Sequence, residues 1–272
     1  MDFKLCVCDL DGTILNSGGV IPECHKKAIL SLKSKGITFV LATGRSDLQV
    51  LEYLDELEAP GPVIVCNGGL VKNHRTGEVL CVSFIDEALA RRAVDYCLLR
   101  GLDYLLYTPD YVYHAVGSER INKFINYNKT ARPEHRVPIA CVADIPDGIL
   151  YKNVIKVLVY HDIGIIPELN EKINFDDAFT IVTSGENLVD IMTYNTSKGT
   201  ALKFIADHLG IKIAETISFG DSLNDESLIS AAGFGVAMGN AEEEIKEIAD
   251  FVTLTNDECG IAYAVSKIID GE

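Results

Sequence analysis

The sequence predicts an α/β protein: a mostly parallel sheet with helical crossovers, interrupted by an inserted α/β segment of different texture. Three observations predict it. Short apolar runs alternate with amphipathic helical stretches at both ends of the chain. Several of these runs stop in a polar, glycine-containing loop, and that carboxyl edge is where open α/β sheets bind ligands. Between the two alternating regions the pattern changes to hairpins and helices.

Taken in order, Leu5–Cys8 is a buried strand that stops abruptly at an acid. Ile21-Pro22-Glu23 opens a helix, with proline near the first turn, that turns Ala28, Ile29 and Leu32 inward and stops at Gly36. Ile37–Ala42 is a second buried strand ending in Thr43-Gly44-Arg45. A helix over 46–57 precedes a third strand, Val63–Cys66, which ends in Asn67-Gly68-Gly69. This alternation calls for right-handed crossovers between parallel strands.

From Phe84 the texture changes. A helix over 86–100 precedes two alternating segments, Tyr104–Thr108 and Tyr111–Ala115, joined across Pro109-Asp110 as a hairpin. A helix over 118–128, a proline-containing region over 132–148, a strand over 154–160, a helix over 165–173 and a strand pair at 179–183 and 188–192 follow. Hairpins with helices suggest an antiparallel sheet carrying helices on one face. The parallel pattern resumes at Ser197-Lys198-Gly199, which opens a helix to Leu209. A strand over 216–219, a helix to Ala232, a strand over 235–237, a helix over 242–249, a short strand at Phe251-Val252 and a helix over 260–269 complete the chain.

Nearly half of the 272 residues (48%) are hydrophobic, enough for a sizeable core, and the formal net charge is −16. That charge argues against nucleic acid or an anionic membrane as a general partner, while leaving room for a small anionic substrate beside a metal. No apolar run approaches the roughly 18 residues of a membrane span, and no leader pattern opens the chain, so a cytoplasmic protein is expected. The eight cysteines are scattered without a C-x-x-C pair and are expected to be reduced core residues, neither disulfides nor zinc ligands. The six histidines form no zinc pattern, and neither a dinucleotide fingerprint nor a Walker loop is present.

The chemistry gathers after the strands. Asp9 and Asp11 stand two residues apart, so in an extended chain both carboxylates face one side. Like charges that close invite a divalent cation, and an ionised aspartate beside one is a competent nucleophile toward phosphorus. A calcium loop counted from Asp9 fails, because Ile14 and Val20 occupy the places that need Gly and Glu. Thr43-Gly44 offers a hydroxyl and free N–H groups for phosphoryl oxygens, or else an ordinary helix cap. Lys198 in a first helical turn opposes the helix dipole by roughly a few tenths of a kcal/mol, which a nearby anion would reverse. Gly220-Asp221-x-x-Asn224-Asp225 places two further carboxylates about one turn apart, able to face one cation. Asn67-Gly68-Gly69 reads as a plain turn, Glu242-Glu243-Glu244 as a solvated helix start, and the basic stretch Lys129, Arg132, His135 and Arg136 as a solvated loop.

In this order, Asp9-Leu10-Asp11-Gly12-Thr13, Thr43-Gly44-Arg45, Ser197-Lys198-Gly199 and Gly220-Asp221-x-x-Asn224-Asp225 resemble the four motifs of the haloacid dehalogenase superfamily. The Thr-Gly-Arg form, the Asn67-Gly68-Gly69 turn and the position of the insertion resemble its Cof-like phosphatases. The resemblance implies a Rossmann-like core over 1–83 and 190–272 and a mobile α/β cap over 84–189. It implies Mg²⁺-dependent hydrolysis of phosphate monoesters of small metabolites such as sugar phosphates. Asp9 would then be the nucleophile that forms an aspartyl-phosphate, and Asp11 the acid and base. Thr43, Gly44, Lys198 and Asn224, with Arg45 beside them, would meet the substrate's phosphoryl group. Asp9, Asp221, Asp225 and the backbone carbonyl of Asp11 would hold the metal. A phosphomutase on the same core, and a non-catalytic binder of phosphorylated metabolites, are the alternatives.

Overall fold

The computed structural model describes residues 2–271. The chain divides into two compact units: residues 1–45, 52–81 and 197–272, and residues 46–51 with 82–196.

The first unit begins with β1 (Leu5–Asp9), α1 (Glu23–Ser34), β2 (Thr38–Ala42), α2 (Leu51–Glu56), β3 (Pro62–Val65), β4 (Leu70–Asn73) and β5 (Val79–Val82). The second unit continues with α3 (Glu87–Arg100), β6 (Asp103–Tyr107), β7 (Val112–His114), α4 (Asn122–Thr130), β8 (Ile139–Cys141), α5 (Asp147–Leu150), β9 (Lys156–Tyr160), α6 (Ile166–Lys172), β10 (Phe179–Gly185) and β11 (Leu188–Thr193). The first unit then closes with α7 (Lys198–His208), β12 (Thr216–Gly220), α8 (Glu226–Ala231), β13 (Phe234–Ala237), α9 (Glu243–Ile248), β14 (Phe251–Val252) and α10 (Gly260–Ala264).

The first unit is built on an eight-stranded sheet in the order β14-β13-β12-β1-β2-β3-β4-β5. From β14 to β3 the pairs are parallel, and β3 and β4 form an antiparallel pair that the sequence pattern did not announce. β1 is buried on both faces, which is why its sequence is a continuous apolar run and not an alternating one. Leu5 and Val7 pack in one cluster with Val40, Ile64 and the α7 residues Leu202 and Ile205. Each such side chain contributes about 1.5–3 kcal/mol of burial. Strand register then sets where the loops emerge. Cys8 lies opposite both Leu41 and Phe219, and Asp9 opposite Ala42, so the carboxyl ends of the central strands are level.

The second unit carries a six-stranded sheet in the order β10-β11-β9-β6-β7-β8. Its pairs are antiparallel except β7 with β8, and β8 arises inside the proline-containing region. Ala90, Ala93 and Val94 of α3 join Leu106, Val157, Val159 and Ile191 in one core. The expectation of helices on one face needs correction. Tyr107 points away from that core by strand alternation, and Phe124 of α4 packs edge-on to it with ring centroids 5.9 Å apart. The basic loop is solvated at Arg132 and Arg136, but His135 is buried.

The cysteine expectation is also corrected. Cys24 at the start of α1 and Cys259 just before α10 form a disulfide spanning 235 positions of sequence. Packing of α1 against α10 brings them together, which no local spacing could signal. The other six cysteines form no disulfide. Among the described residues, no helix is long and apolar enough to cross a membrane.

Candidate active site

The level strand ends of the first unit place four loops side by side. β1 ends on Asp9, and the chain then turns through Gly12 at φ +82°. A side chain could not replace that glycine: a Cβ there would lie 2.3 Å from an Asp221 carboxylate oxygen. Thr13 donates from its hydroxyl to Asp221 Oδ1 at 2.7 Å, locking the first loop to the fourth.

The centre is a buried lysine among acids. Lys198 is the first residue of α7, capped by Ser197, and its side chain is fully enclosed. Its Nζ donates to Asp9 Oδ1 at 2.6 Å and to Asp225 Oδ1 at 2.7 Å. The other Asp225 oxygen accepts from the backbone N–H groups of Asp221 at 3.0 Å and Ser222 at 3.2 Å. Carboxylate oxygens of Asp9, Asp221 and Asp225 all lie within 4.8 Å of one another.

Three acids share one lysine there, and the imbalance appears in their protonation. Burial, then the charge of Asp225, pushes the Asp9 carboxyl well above the ordinary carboxylate range, with Lys198 pulling the other way. Burial and Asp225 likewise push Asp221 up to about 7, against the hydrogen bond from Thr13. Burial disfavours the Lys198 ammonium, yet Asp225 and Asp9 outweigh it and hold the lysine charged above its usual range. Three acids against one lysine hold protons that a divalent cation would displace, and their carboxylates are hard oxygen donors, so the residues fit such an ion.

The remaining expected residues fall around this centre. Thr43 is buried at the end of β2, and its Oγ1 accepts from the Arg45 backbone N–H at 3.2 Å. Gly44 lies so close to Asn67 that a Cβ would sit 2.9 Å from Asn67 Oδ1. Asn224 donates to that same Oδ1 at 3.1 Å. The side chain of Asp11 stands apart from the three-acid cluster, in an ion pair with Arg45. Asn67, read from sequence as part of a plain turn, is buried among these loops. The available signal was its position: it follows the third parallel strand at the same sheet edge. Asn240, also unforeseen, donates from its amide to the Gly12 carbonyl at 2.9 Å.

The chain is similar to known proteins over nearly its whole length. A family model described as haloacid dehalogenase-like hydrolase matches residues 6–265. A 5-amino-6-(5-phospho-D-ribitylamino)uracil phosphatase of Bacillus subtilis is 29% identical, with 99% of each chain covered. Phosphatase YwpJ of the same organism is 32% identical over 98% of this chain and 100% of its own. Among solved structures, the sugar phosphatase BT4131, described as a member of subclass IIB, superposes with a TM-score of 0.84 at 26% identity, covering 97% of this chain and 98% of that one.

Proposed function

Because this chain belongs to the haloacid dehalogenase-like hydrolase family, we propose that it hydrolyses phosphate monoesters of small polyhydroxylated metabolites by way of an aspartyl-phosphate. Its class is that of a phosphoric monoester hydrolase. The observation that carries the reading is Lys198 locked between Asp9 and Asp225 in an enclosed, acid-rich cluster.

Asp9, Asp221 and Asp225, with the Asp11 backbone carbonyl, would hold Mg²⁺. That ion would supply charge neutralisation for the attacking carboxylate and the transferring phosphoryl group. Asp9 attacks phosphorus in line, and Lys198 neutralises negative charge on the phosphoryl oxygens. Thr43 and the Gly44 backbone, with Asn224, orient those oxygens, while Arg45 keeps Asp11 in place. Asp11 must first take up a proton from solvent and loosen from Arg45, and it then gives that proton to the leaving alkoxide. In the form ion-paired to Arg45 it is a carboxylate, oriented to take a proton from the water that cleaves the aspartyl-phosphate. The second unit is the cap that reads the substrate and limits the access of bulk water until the intermediate has formed.

The substrate class rests on two relatives. One is named for a phosphoribitylamino compound and the other as a sugar phosphatase, so both names point to phosphate on a polyhydroxylated carbon chain. The test is phosphate release from a panel of sugar and polyol phosphates with and without Mg²⁺. Expected is metal-dependent release that Asp9→Asn abolishes. Undiminished release by Asp9→Asn, or with all metal chelated, overturns the reading. Movement of phosphate within a hexose phosphate without release would identify a mutase instead.

A further inference from the structure

Cys66, Asn67 and Gly68 occupy the left-handed region in succession, at φ +50°, +55° and +95°. Two of the three are not glycine, and residues held there typically cost on the order of 1–3 kcal/mol each. Such strain persists only where the surroundings fix it, so its contacts are informative. The Asn67 backbone N–H donates to the Thr43 carbonyl at 2.9 Å, and the Cys66 N–H donates to the Arg45 carbonyl at 2.8 Å. Together they pin the second loop from both sides of Gly44. The Asn67 side chain presses its Oδ1 against Gly44 and accepts from Asn224 Nδ2 at 3.1 Å. Gly68 lies against the loop that carries Lys198, where a Cβ would stand 2.2 Å from the Ser197 carbonyl oxygen.

One turn therefore touches three of the four loops that surround the acid cluster. Bonds to Thr43, Arg45 and Asn224 and close contacts to Gly44 and Ser197 tie it to the loops expected to meet phosphate. We propose that Asn67 is a positioning residue whose buried turn sets the Thr43-Gly44 loop and the Asn224 amide at the spacing of phosphoryl oxygens. This assignment rests on the phosphatase reading for its ligand. It adds a fifth segment to the site, one that holds phosphate indirectly through the groups it arranges.

The turn is tested with inorganic phosphate, whose binding in the presence of Mg²⁺ is read by calorimetry whether or not the enzyme turns over. Asn67→Gly keeps the left-handed backbone free of strain and removes only the amide. Loss of the positioned Asn67–Asn224 hydrogen bond alone predicts a phosphate Kd raised about tenfold. The Mg²⁺ midpoint stays unchanged, and the variant's thermal midpoint reports that the fold is intact. Asn224→Ala weakens phosphate binding as well, and the double variant falls short of the product of the two single effects, because part of the Asn67 effect passes through Asn224. Parental phosphate affinity in Asn67→Gly, or effects that multiply independently in the double variant, overturns the assignment. A parent enzyme that binds phosphate but releases none from any ester fails the phosphatase reading instead, and the Kd comparison still judges the turn.

Discussion

Two nitrogens of Arg45 grip the carboxylate of Asp11, Nε donating to Oδ2 at 2.8 Å and Nη2 to Oδ1 at 2.5 Å. The third, Nη1, donates to the Tyr53 hydroxyl at 3.3 Å, and the guanidinium stands 5.2 Å from the centre of that ring. Burial disfavours the Arg45 charge, but the hydrogen bonds and charge of Asp11 outweigh it and raise the guanidinium further above its usual range. A planar fork fixes both the position and the plane of its partner, which a single ammonium cannot do.

If Asp11 handles the proton, that orientation is worth rate. Arg45→Lys keeps the charge and loses the fork, so kcat should fall about tenfold, the worth of one misplaced charge-assisted hydrogen bond, with a smaller change in KM. Steady-state kinetics on the best ester decides it. A variant with parental kcat would remove Arg45 from proton transfer.

The acid cluster predicts a pH-dependent response to metal. Asp221 titrates near 7 in the folded protein against an ordinary value of 3.8, and Asp9 is shifted in the same direction. A folded-state value above the unfolded one means that the folded protein holds the proton longer. Stability is thus greatest below pH 4 for these groups and declines as pH rises toward 7. Metal must displace those protons, so the stabilisation by Mg²⁺ should grow across the same window. Thermal melts from pH 5 to 8, with Mg²⁺ or chelator, would show the two curves diverging; parallel curves would contradict the cluster's role.

The Cys24–Cys259 bridge closes a loop of 235 positions, for which chain entropy predicts roughly 5 kcal/mol of stabilisation. Reduction should lower the denaturant midpoint, and Cys24→Ser should match the reduced protein and be insensitive to reductant. Equal midpoints with and without dithiothreitol would mean that the bridge carries no stability.

In the second unit, Lys156 and Asp190 are both buried, with Nζ 3.0 Å from Oδ1 and the ammonium 4.5 Å from the centre of the Tyr107 ring. Lys156→Met alone leaves a buried carboxylate and should cost about 3–5 kcal/mol, whereas Lys156→Met with Asp190→Leu should recover most of it. Urea unfolding of the three proteins measures both values. A double variant as unstable as the single one would show that other contacts, not charge pairing, set the cost.

Parts of this protein were legible because they are local. Leu5–Cys8 and Ile37–Ala42 read as buried strands from continuous apolar runs, and each loop after them announced itself by an acid, a hydroxyl or a glycine. The β3–β4 pair was not legible, since Asn67-Gly68-Gly69 read as a plain turn and nothing local marked it as buried or as joining two strands. The placement of α4 was equally silent, because strand alternation does not say which covered face a helix will take.

By itself the sequence determined the alternating parallel core and the order of four polar loops, because apolar run length and turn chemistry are written within a few neighbouring residues. Only the tertiary structure decided which other distant groups meet: Asn67 with Asn224, Cys24 with Cys259, Lys156 with Asp190. Those meetings follow from strand register and helix packing, which bring together positions that no short-range pattern connects.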